Sequence, residues 1–132
     1  LAVWGAPYRC PNDADRAVRA AIEMQRALTR FNAEWTAQGN APIAIHIGID
    51  TGAAAAGNIG SERMLQYAAI GDTTNRASRI CSVAQAGEIL VAERTVAALA
   101  NGDHRLEPMA PVRVKGKDAP LRLYRLHWAD GY

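Results

Sequence analysis

The amino-acid pattern predicts an α+β domain, and three observations predict it. Ile43, Ile45, Ile47 and Ile49 alternate with Ala44, His46, Gly48 and Asp50, the period of two that marks a strand with one buried face. Ala14, Ala17, Ala21, Met24, Leu28, Phe31 and Trp35 recur in steps of three and four, the spacing of a helix packed along one face. Residues 67–80 pass from a short apolar run through Gly71 into a second helical pattern. The order strand, helix, two antiparallel strands, helix, strand and helix fits part of a ferredoxin-like βαββαβ antiparallel sheet with helices packed on one face.

The elements follow in order. Leu1 to Trp4 reads as a buried strand ended by Gly5-Ala6-Pro7. Leu1 opens into that strand with no initiator Met and no polar lead-in, so the 132 residues read as the C-terminal part of one larger domain. Asn12 or Asp13 is placed to cap the first helix, Gly39 stops it, and Pro42 forbids its resumption. Asp50-Thr51-Gly52 makes a tight turn, and Ala53 to Ala56 returns as a strand antiparallel to the first. Alanine is a poor strand former, so four in a row imply that something packs closely there. Gly57-Asn58-Ile59-Gly60-Ser61 reads as a glycine loop without the Lys-Ser/Thr pair of a Walker A loop. After the second helix, Gly87 precedes a short buried strand, Glu88 to Ala92, and a short helix, Glu93 to Ala100. Val112 to Lys115 and Leu121 to His127 close the chain as two extended segments.

Composition excludes several function classes. The net charge is +2 and 49% of residues are apolar, which suits a packed core and argues against nucleic acid or an anionic membrane as partner. Aromatic residues are not interleaved with basic ones, so there is no stacking platform for a single strand. No run approaches the length of a membrane span; a membrane connection would come only through other domains of a longer parent. The two cysteines, Cys10 and Cys81, lack metal-type spacing and fit a reducing, cytoplasmic compartment. His46 has no ligand-spaced partner and reads as a surface or interface histidine.

The chemistry concentrates in residues 67–80. Asp72 stands where a helix N-cap belongs. Asn75 and Arg79, four residues apart, share one helix face, while Ala77, Ile80, Cys81 and Ala84 form the buried stripe opposite. An amide and a guanidinium pointing together from an anchored helix can grip an anion, because the planar guanidinium donates two parallel hydrogen bonds. From spacing alone, an Asn and an Arg on a solvated face is the more ordinary reading, since surface arginines are common.

Three ordered segments carry a resemblance: Asp50-Thr51-Gly52, Gly57-Asn58-Ile59-Gly60-Ser61-Glu62, and Ile70-Gly71-Asp72-x-x-Asn75-x-Ala77-Ser78-Arg79. Together they resemble the signature of class III nucleotidyl cyclases, the adenylate and guanylate cyclases. Leu1-Ala2-Val3-Trp4-Gly5-Ala6-Pro7, and the closing hairpin of Val114-Lys115-Gly116-Lys117 followed by Leu121-Arg122-Leu123-Tyr124, extend the likeness over nearly the whole chain. The resemblance implies conversion of ATP, less readily GTP, to a 3′,5′-cyclic nucleotide and pyrophosphate. It implies a head-to-tail homodimer whose site is shared between subunits. It implies two Mg or Mn ions held by two Asp residues, both expected upstream of Leu1. By motif position, Asn75 would orient the ribose and Arg79 would stabilise charge on the reacting phosphate. Lys115 matches a lysine that touches the distal phosphates, although a hairpin lysine is ordinarily just solvated. Ala68 departs from the pattern: it stands seven residues before Asn75, where relatives have Asp or Thr to bond adenine. A degenerate domain that binds nucleotide or a partner without turnover, or a pure dimerisation module, is the alternative.

Overall fold

The computed structural model describes residues 1–6, 8–53, 55–59, 66–113 and 120–129, with backbone alone for 55–59 and 66–70. The elements run α1 (Asp13–Ala37), β1 (Ile47–Ile49), β2 (Ala55–Ile59), β3 (Gln66–Ile70), α2 (Asp72–Val83), β4 (Ile89–Ala92), α3 (Glu93–Ala98), β5 (Leu106–Pro108) and β6 (Leu123–Leu126). Four strands form one sheet in the order β1-β4-β6-β5, and β2 pairs with β3 in a separate two-stranded sheet. The class is α+β, as the pattern predicts. The main sheet is mixed rather than wholly antiparallel: β1 runs parallel to β4, with Ile47 opposite Ile89 and Ile49 opposite Val91. The connection explains this, because a crossover that passes through a helix (here α2) brings the chain back in the same direction.

Strand β4 is the centre of the core. All four of its residues are buried. Ile89 and Val91 pack with Val18 and Ala21 of α1 and Leu126 of β6, and Val96 of α3 borders that group. Leu90 and Ala92 pack with Ile80 and Ala84 and with Leu123 on the other side. Successive strand residues point to opposite faces, so α1 and α3 cover one face and α2 covers the other. The expected arrangement of helices on one face therefore holds only for α1 and α3. A one-sided layer would leave Leu90 and Ala92 in water, and each large side chain buried there stabilises the fold by roughly 1.5–3 kcal/mol.

Several local expectations are corrected. The first segment forms no strand: Leu1 is 86% exposed and Val3 is exposed, since apolar character alone supplies no ladder partner. The buried face of α1 is Asp15, Ala17, Val18, Ala21 and Gln25, whereas Met24 and Phe31 are exposed. Asn12 occupies the N-cap position of α1 without a side-chain cap bond, and Asp13 instead accepts the Cys10 N–H at 2.8 Å. Residues 43–46 are not strand: Asn32 of α1 bonds both polar groups of Ile43, and the Ile45 carbonyl is shared between Gln25 Nε2 at 3.1 Å and the Gly87 N–H at 2.8 Å. The strand after the Asp50 turn pairs with β3, not with β1, with Gly57 opposite Ala68. Gly57, Asn58 and Ile59 belong to this strand rather than to a loop. Gly39, at φ +90°, ends α1 as expected. The closing segments meet through an antiparallel bridge between Val112 and Leu121; residues 114–119 lie outside the described part of the chain.

Candidate active site

The strand–turn–helix unit β3–Gly71–α2 forms as the sequence predicts. Gly71 takes φ +137°, a backbone state that favours glycine, and occupies the N-cap position; Asp72 is the first helical residue. Its acidic side chain in the first turn suits the positive end of the helix dipole. Ile80 and Ala84 are buried, and Ala77 and Cys81 are half-buried against β1. The approach there is close: a Cβ on Gly48 would stand 2.8 Å from the Ala77 carbonyl oxygen and would collide with the Cys81 backbone nitrogen. The helix is thus seated directly on the backbone of β1.

On the face away from that contact, Asn75 is exposed and Arg79 is half-buried. Among the described residues neither side chain has a hydrogen-bond or ion-pair partner. Arg76, between them, is committed: its Nε lies 3.5 Å from the Asp50 carboxylate. Asp50 has a fully buried side chain and also accepts the Arg94 fork, at 2.7 and 3.4 Å, and the Thr51 N–H at 2.8 Å. Thr73 Oγ1 donates to the Ala53 carbonyl at 2.7 Å, and Thr51 Oγ1 lies 2.8 Å from the buried Thr95 hydroxyl. This cluster was not legible as more than a tight turn in Asp50-Thr51-Gly52, because its partners come from two later helices. The only sequence signal was the surplus of arginines around the motif.

Ala68 lies in β3, in the strand that feeds the helix carrying Asn75 and Arg79; its side chain is outside the described part, as is all of Lys115. His46 is exposed, and its Nδ1 lies 2.7 Å from the Cys81 carbonyl oxygen. A carbonyl only accepts, so Nδ1 carries the proton and cannot take one from the Cys81 thiol 3.4 Å away. Among the described residues no group of three or more His, Cys, Asp or Glu side chains could hold a metal ion. Asp50 is spoken for by two arginines. The described donor set therefore does not fit the pair of divalent ions that the resemblance implies. A depression of about 270 Å³ between α1 and residues 42–44 contains no residue of α2.

The model of the adenylate and guanylate cyclase catalytic domain matches residues 1–127. The chain belongs to this family. Adenylate cyclase 1 of Rhizobium meliloti (strain 1021) is 32% identical over 127 residues, covering 96% of this chain and 19% of that protein. The guanylate cyclase domain of RhGC from Catenaria anguillulae, solved in complex with GTP, superposes with a TM-score of 0.82 at 33% identity, over 94% of this chain and 64% of that one. The adenylyl cyclase CyaB from P. aeruginosa gives a TM-score of 0.82 at 28% identity, again over 94% and 64%. The chain thus spans about a fifth of the curated cyclase and under two thirds of the solved cyclase domains. Among the described residues no helix is long and apolar enough to cross a membrane.

Proposed function

We propose that these residues are the C-terminal part of a class III nucleotidyl cyclase domain, and that α2 presents Asn75 and Arg79 to the nucleoside triphosphate. In the reaction the ribose 3′-oxygen bonds to the α-phosphorus, the bond from that phosphorus to the bridging oxygen breaks, pyrophosphate leaves, and the 3′-hydroxyl proton goes to solvent. Asn75 orients the ribose. Arg79 donates to the reacting phosphate as its charge is redistributed, and a cation fixed beforehand on a rigid helix stabilises that change without reorganising. The observation that carries this reading is the contrast within α2: Arg76 is tied to Asp50, while Arg79 has no partner among the described residues. The Asp ligands of the two Mg or Mn ions are proposed to lie in the part of the cyclase domain not represented by this chain. ATP is the favoured substrate, in keeping with the R. meliloti relative, an adenylate cyclase. Ala68 cannot hydrogen-bond the base through its side chain, so discrimination against GTP is weak. The same residue favours a second reading, a degenerate domain that binds nucleotide or a partner domain without turnover.

The test is a cyclase assay of the full-length protein with Mn²⁺ and either ATP or GTP. Arg79→Ala lowers kcat on the order of 10²–10³-fold, the range for removing one pre-organised donor. In a head-to-tail homodimer Arg79 acts across the interface. An Arg79→Ala chain co-expressed with a chain lacking its metal Asp then recovers activity that neither has alone. Turnover unaffected by Arg79→Ala overturns the assignment, and confirmed mixed dimers without recovery overturn the shared site.

A further inference from the structure

We propose that Asp50 is a positioning residue for this chemistry: its buried carboxylate, gripped by Arg94 and faced by Arg76, sets the pose of α2 and so of Arg79. The inference rests on the role given to Arg79 above.

A fully buried carboxylate persists only where cations and N–H groups compensate it. Asp50 has both. Arg94 belongs to α3, which starts directly after the buried strand β4, so the Asp50 turn is pinned to the buried centre of the core. The buried Thr95 adds its hydroxyl contact to Thr51. From the other side, α2 hangs on the same turn by Thr73 and Arg76, which flank Asn75 in the chain. Arg79 follows Arg76 by three residues and lies on an adjoining part of the helix surface. Gly52 makes the fit possible, since a Cβ there would stand 2.6 Å from Thr73 Oγ1 and 2.9 Å from Arg94 Nη1.

One detail separates positioning from mere stabilisation. The Arg76 Nε is buried and has no hydrogen bond, although it lies at ion-pair distance from Asp50. An unsatisfied buried donor is a cost to folding, and such costs concentrate where geometry serves function. One carboxylate shared by two guanidiniums holds two helices by charge and fixes the rotation of α2 relative to the core.

The experiment is a double-mutant cycle in the full-length protein. Asp50→Asn lowers kcat by roughly tenfold or more with KM nearly unchanged, the signature of a contact realised only in the transition state. In the Arg79→Ala background the same change has little further effect, because both act through one group. Multiplicative losses in the double variant overturn the proposal. Arg76→Met, which leaves the Asp50–Arg94 pair intact, gives the same pattern and serves where Asp50→Asn fails to fold. Hydrogen exchange supplies a readout independent of turnover: α2 amides lose protection in Asp50→Asn while the amides of α1 keep theirs. Uniform loss, or none, overturns the proposal even if the wild-type protein proves to have no cyclase activity. That last result alone removes the functional reading.

Discussion

Asp15 sits inside the molecule, 1% exposed, on a flank of α1 half a turn away from the exposed Met24, where the apolar spacing placed no buried residue. Its carboxylate accepts the N–H groups of Ala100 and Asn101 at 2.9 and 3.0 Å and lies 3.2 Å from His104 Nε2. Burial by itself would raise its pKa, but the two backbone N–H groups and the His104 ring outweigh burial and hold it below the ordinary value. A carboxylate with a depressed folded pKa stabilises fully above its unfolded pKa, near 3.9, and that contribution is lost as pH falls through the folded value. Asp15→Asn is expected to cost about 2 kcal/mol at neutral pH through poorly satisfied N–H groups. Melting curves of both proteins from pH 7 downward should show the gap closing on acidification. A gap that widens contradicts the sign. That Asn75 and Arg79 share a helix face away from the core was legible at this scale, because four-residue spacing on a helix is local. Asp15 was not, since its partners lie more than eighty residues away.

Helix α2 depends on Gly48, one element away. The helix backbone approaches β1 so closely that any side chain at this position meets the Ala77 carbonyl and the Cys81 nitrogen. Gly48→Ala must push α2 outward, at about 1–3 kcal/mol for overpacking. Because α2 carries Asn75 and Arg79, the cyclase activity proposed for the full-length protein should fall in this variant as well. Gly102→Ala is the control, with nothing within 4 Å of the added carbon, and should be neutral in denaturant melts. Equal effects of the two substitutions would show that the close contact carries no weight. The element itself was readable: a glycine turn followed by an apolar stripe is a helix start. Its seat on β1 was not, because the alternation of residues 43–50 suggested only that Gly48 faced away from the isoleucines.

For the whole molecule, the exposed apolar side chains matter most. Leu1 and Tyr8 are 86% and 82% exposed, and Met24, Phe31 and Ile43 are also exposed. Strand β1 lies at one end of the sheet order, so its outer backbone edge has no neighbour among the described strands. Open edges and apolar patches promote association. The isolated 132-residue chain is therefore expected to self-associate in sedimentation experiments, and a monodisperse monomer with a sharp cooperative melt would contradict this.

The cyclase motif, the α+β class, α2 and β4 could all be read from residues near one another in the chain. Periodicity and turn chemistry act over a few residues, and that is the range in which composition speaks directly. The run Ile89-Leu90-Val91-Ala92 even held the sign of a strand covered on both faces, for a strand with no polar side must be buried twice. Partner choice across the fold was decided elsewhere. Whether Ala55–Ile59 joined β1 or β3, which side α2 covered, and that Asp50 would meet an arginine 44 residues away all depended on how finished elements packed. A side chain's pattern states which face it prefers; only the assembled core determines what stands opposite.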